Sequence, residues 1–71
     1  MKTELLIIKN NDAYIRVKEN QYFLCALDKA SVFPVDKILN VKEHVKCLKN
    51  NGFDNACIYR LILTEIPFEE K

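Results

Sequence analysis

The chain has 71 residues, 49% of them hydrophobic and 30% charged, with a single glycine and two prolines. That length holds one domain, and the composition is globular: too apolar for a disordered chain and too poor in glycine and proline for long flexible loops. Eleven Lys and Arg against ten Asp and Glu leave a net charge of +1, so no global field draws the chain to nucleic acid or to an anionic membrane, and either role would need a local patch.

A chain this short buries only about 60% of the surface its unfolded form exposes. It needs help from disulfides, a metal, a partner subunit or very good packing. The N-terminal "MKTELLII" has four consecutive apolar residues, short of the hydrophobic region of a signal peptide. No apolar run approaches the roughly 20 residues that cross a bilayer. The expected location is cytoplasmic, with no membrane partner. Cys25, Cys47 and Cys57 are an odd set and sit inside apolar patterns, where cysteine behaves as a small hydrophobe; three reduced thiols are expected.

In chain order, residues 4–9, "ELLIIK", form a short apolar run that reads as a first strand, apolar on both faces. "NND" at 10–12 is a turn, because Asn and Asp tolerate a left-handed backbone. "AYIRVK", 13–18, alternates as a second strand: Ala13, Ile15 and Val17 face one way, Tyr14, Arg16 and Lys18 the other. After the turn "EN", residues 21–27, "QYFLCAL", read as a third strand, completing a meander of two hairpins. Pro34 biases Phe33 toward extended geometry, and 35–39 reads equally as a helical turn or an extended crossing.

Asn40 is a favourable N-cap with Glu43 three residues on, as in a capping box. Val41, Val45 and Leu48 repeat as the apolar stripe of a surface helix. Gly52 suits the left-handed residue after a helix end, and Lys46 and Lys49 suit its negative terminus. These signals predict a helix over 41–51. Residues 55–66 form a long last strand, with Cys57, Tyr59, Leu61 and Leu63 on one face and Ala56, Ile58, Ile62 and Ile66 on the other, ended by Pro67.

The expectation is a two-layer α+β domain of order β-β-β-α-β over 1–66, followed by a frayed tail, 67–71. One helix packs on a mostly antiparallel four-stranded sheet of order 3-2-1-4, in which the last strand lies beside the first and runs parallel to it. Strands one, three and four are apolar on both faces, and one helix covers only one side of such a sheet. The other side needs a cover. A second copy of the chain is the simplest; the alternatives are the segment 32–39 folded back over that side, or a different protein.

Candidate chemistry is sparse. His44 and Cys47 are three apart on the helix, and with Cys25 and Cys57 they make a formal Cys₃His set. Cys25 and Cys57, however, are each isolated in a strand, and Cys47 lies about 60° round the helix from His44. A Cys47–His44 nucleophilic pair would sit at the negative end of the helix, which opposes the thiolate it needs. One glycine cannot build a phosphate loop. No enzyme, metal or cofactor is therefore expected, and no small-molecule substrate is identifiable. Lys42, Lys46 and Lys49 lie within about 60° of one another on the helix. With Arg16 and Lys18 they form the candidate patch of a second reading, a nucleic-acid-binding module. The leading expectation is a small interaction or accessory module that self-associates.

Overall fold

The structure, a computed structural model, describes residues 2–69, with side chains from Thr3 onward; residues 70 and 71 of the expected tail lie outside that range. Five strands and one helix follow one another: β1 (Lys2–Asn10), β2 (Ala13–Lys18), β3 (Gln21–Cys25), β4 (Val32–Pro34), α1 (Ile38–Asn50) and β5 (Ala56–Thr64). Short 3₁₀ turns, Leu27–Lys29 and Val35–Lys37, precede β4 and α1. Among the described residues no helix is long and apolar enough to cross a membrane.

The fold is α+β, with one helix on an antiparallel sheet. β1 is its hub. The last strand, β5, pairs with it along the whole of one edge, from Lys2↔Thr64 to Asn10↔Ala56. On the other edge, β2 takes the end at Lys9 and Asn10, and β4 takes Leu5, Leu6 and Ile7. β3 pairs with the outer edge of β2. The expected neighbours, third strand beside second, second beside first and first beside last, are all present.

Two features differ from the expectation. Residues 32–34 form a strand of their own, and β5 runs antiparallel to β1. One causes the other. β4 reverses the chain once more before the helix, so the helix delivers β5 parallel to β4, with β1 between them. Ser31 secures the extra reversal. Its backbone N–H donates to the Ile15 carbonyl at 3.1 Å, and its Oγ accepts from the Val17 N–H at 2.9 Å. β2 thus keeps hydrogen-bond partners where it has parted from β1.

The turns follow their residues. Glu19 and Asn20 both have positive φ, 51° and 62°, the two-residue geometry that matches strand twist. Asn11, at φ 57°, makes the first hairpin turn.

The helix starts earlier than its sequence signals imply. Lys37 occupies the N-cap position and makes no side-chain cap hydrogen bond, so Asn40 and Glu43 lie inside the helix and form no capping box. The 3₁₀ turn at Val35–Lys37 runs straight into the first helical turn and supplies the entry that a cap would otherwise fix. The C-terminus is as read. Gly52 has φ 97°, the Phe53 N–H donates to the Leu48 carbonyl at 3.0 Å, and the Gly52 N–H donates to that of Lys49 at 3.4 Å. This is the paired closure that satisfies the last carbonyls, and Phe53 packs back onto the core that holds Leu48.

That core lies between α1 and one face of the sheet. Leu6, Ile8, Ile15 and Ala56 face Val41 and Leu48, with Val17, Tyr22, Phe33, Val45, Phe53 and Ile58 around them.

Candidate functional site

The strand registers divide the side chains between two faces. On the face away from α1 stand Leu5, Ile7 and Lys9 of β1, Tyr14, Arg16 and Lys18 of β2, Phe23 and Cys25 of β3, Val32 and Pro34 of β4, and Cys57, Tyr59, Leu61 and Leu63 of β5. α1 packs against the opposite face, and the chain between β3 and β4 passes across β2 to reach the Ser31 bonds on its other edge. The segment 32–39 does not fold back over the open face: β4 is in the plane of the sheet, and the following turn leads into α1 on the opposite side.

Val32 is 45% exposed, Phe23 44%, Tyr59 50% and Leu63 43%. Ile7 is the exception at 2%. Its register partners are Val32 on one side and Tyr59 on the other. Lys9 completes the row. Its Nζ lies 5.3 Å from the ring centre of Tyr14 and 5.3 Å from that of Tyr59, so one ammonium bridges two aromatic faces.

The proposed basic patch is not gathered. Lys42, Lys46 and Lys49 are exposed on α1, whereas Arg16 and Lys18 project from the other side of the sheet. The alternation that sets Arg16 and Lys18 opposite Ile15 and Val17 also sets them opposite the helix. Lys9 was missing from that patch, although its even spacing from Leu5 and Ile7 places it on the same face.

His44 and Cys47 are likewise separated from the other thiols. Cys25 and Cys57 stand on the open face, where each thiol donates to a neighbouring backbone carbonyl at 3.6 Å, that of Tyr14 and that of Lys9 respectively. All three cysteines are free. Among the described residues no group of three His, Cys, Asp or Glu is placed to hold a metal ion.

His44 instead sits at the seam between α1 and the sheet. Its Nδ1 shares a 2.9 Å hydrogen bond with the Tyr22 hydroxyl. The ring meets Tyr22 edge-on at 5.8 Å and lies tilted against Phe33 at 5.6 Å. Tyr22, Asn40, Glu43, His44 and Cys47 line a shallow cleft of about 280 Å³ here. Burial holds the Tyr22 hydroxyl above its ordinary pKa, and the Cys47 thiol adds to this by charge and by hydrogen bonding. Tyr22 was not singled out by sequence; the only signal was its parity with Leu24 on a strand next to Val17. The arrangement is a packed polar contact between α1 and β3.

Compared with known proteins, the chain matches no family model, no curated protein and no solved structure.

Proposed function

We propose that this chain is a small, non-catalytic cytoplasmic interaction module with reduced thiols, which self-associates through the apolar part of its open sheet face. The observation that carries the reading is the row Val32, Pro34, Leu5, Leu61 and Leu63, apolar side chains contributed by three adjacent strands and left partly or largely exposed. Apolar surface of that kind is stabilised by removal from water, and isolated monomers rarely leave it contiguous.

Area supports the same reading. A folded monomer of 8.3 kDa exposes about 4,600 Å², and this chain exposes 5826 Å². The exposed segment 65–69 and the exposed apolar residues of the open face, Val32, Tyr59 and Leu63, both contribute to the excess. A standard interface takes about 800 Å² from each partner, so a dimer built on this row would be at the small end of the range. A two-fold pairing of identical faces is the simplest arrangement, since it asks for only one self-complementary patch.

Sedimentation velocity at micromolar concentration tests the proposal. A concentration-dependent dimer is the expected result. A strict monomer across that range overturns self-association.

A further inference from the structure

The open face has two unlike halves. One is the apolar row just described. The other is formed by the end of β1 with β2, β3 and the start of β5, and it combines cations with aromatic rings. Lys9 bridges Tyr14 and Tyr59. Arg16 is the next residue on this face along β2, and Phe23 stands directly opposite it. Lys18 follows at the hairpin end. No strand residue on this face is Asp or Glu among the described residues; the acids of the adjoining turns are Asp12, Glu19 and, in the 3₁₀ turn against β2, Asp28, which Lys29 follows. In a chain whose net charge is only +1, this is a local concentration of positive charge.

We propose that this half of the sheet binds single-stranded nucleic acid, with phosphates against Lys9 and Arg16 and bases stacked on Tyr14, Tyr59 and Phe23. Charge selects a polyanion. The rings select one with flat, unpaired bases, because stacking on aromatic side chains requires bases free of a duplex. When a base takes a Tyr face, the Lys9 ammonium moves from the ring to the phosphate that arrives with it. A second copy of the chain is a poor occupant for this half, because it would bring the same positive charge. The site is therefore independent of the apolar row, and also of the helix lysines, which lie on the other side of the sheet.

The test is fluorescence anisotropy with an end-labelled single-stranded oligonucleotide of mixed sequence, as DNA and as RNA, at low salt and over a salt titration. Expected is binding whose log K falls with log salt at a slope of about −0.7 for each phosphate contact, hence about −1.4 for Lys9 and Arg16 together. The double variant Lys9→Gln/Arg16→Gln loses that slope. Tyr14→Leu/Tyr59→Leu keeps the slope and weakens binding about fivefold or more. Lys9 and Tyr14 are half-buried and Arg16 and Tyr59 exposed, and circular dichroism of both variants checks that the fold is intact. The proposal is overturned if no binding occurs at low salt, or if a duplex of the same length binds as tightly. It is also overturned if inorganic polyphosphate competes as well as the oligonucleotide, or if the leucine variant binds unchanged. Loss of self-association in Lys9→Gln/Arg16→Gln without oligonucleotide binding in the parent chain would assign this half to the protein interface instead.

Discussion

The two faces of one sheet differ in what buries them. On the α1 side, Leu6, Ile8 and Ile15 are closed in by a second layer, with Val41 and Leu48 fully buried above them. On the open side, Ile7 is equally inaccessible, yet it lies outside the cluster that α1 covers. Leu61, Leu63 and Val32 around it stay partly or largely in water. A strand that is apolar in both directions therefore reports two different things: a core on one side, and on the other a surface whose apolar side chains stay partly exposed. For a domain with so small a core, apolar area buried on the second side would add to stability.

The sharpest way to test the difference is to remove apolar volume from each side. Leu48→Ala empties a site enclosed by helix and sheet and should cost about 2–5 kcal/mol, read as a lower urea midpoint at every protein concentration. Leu61→Glu places a charge in the open apolar row. It should weaken self-association by about 2 kcal/mol or more, roughly thirtyfold, while circular dichroism of the dilute chain stays unchanged. If Leu61→Glu instead unfolds the dilute chain and leaves association intact, the two sides are one core and the contrast fails.

Much of this arrangement was legible from alternation alone. The parity of residues 13–18 and 55–66 assigned the side chains to faces, and the doubly apolar strands signalled that one face would lack a cover. The direction of β5 was not legible, because it depends on whether Val32–Pro34 makes a strand. Three residues ending in a proline carry too little periodicity to settle that; pairing with β1 and the Ser31 bonds decide it. The helix start was misread for a related reason. Asn40 has the chemistry of a cap, but the preceding 3₁₀ turn already supplies helical geometry, so the capping side chain has no terminus to cap. The Tyr22–His44 contact joins residues 22 apart in sequence, and a local pattern does not encode such a pairing. Lys9 was hidden differently: as the last residue of an apolar run it reads as a strand boundary, and only the registers of β2 and β5 show it between two tyrosines.

The helix stop was read correctly, and it offers a smaller test of the covered side. No atom lies within 4 Å of the position a Cβ would take at Gly52, whose φ is 97°. Gly52→Ala therefore meets no steric obstacle and carries only the backbone cost of a left-handed residue, about 1–2 kcal/mol. The loss should appear in thermal or urea unfolding of the dilute chain, with no change in association beyond that due to stability. A neutral result would mean that Phe53 and the Leu48 carbonyl do not need this geometry to close the helix.

The seam between the faces gives the smallest effect and the most specific one. Tyr22→Phe keeps the ring against His44 and removes only the hydroxyl. At neutral pH it should cost about 0.5–1.5 kcal/mol, nearer the lower figure because the site is only half-buried and water can replace the lost partner. Its pH dependence is diagnostic. In the folded chain the Tyr22 pKa is raised, first by burial and then by Cys47, whereas in the unfolded chain it is about 10. Below that value both states hold the proton and the contribution is fully present. As pH rises past it, the unfolded state ionises first and the contribution is lost progressively through the folded pKa. Urea midpoints of the parent chain should therefore fall above about pH 10 more steeply than those of Tyr22→Phe, and one of the three tyrosines should ionise last in an ultraviolet titration. Parallel midpoint curves for the two proteins would show that the seam is held by ring packing alone, and that the covered face owes nothing to its one polar contact with His44.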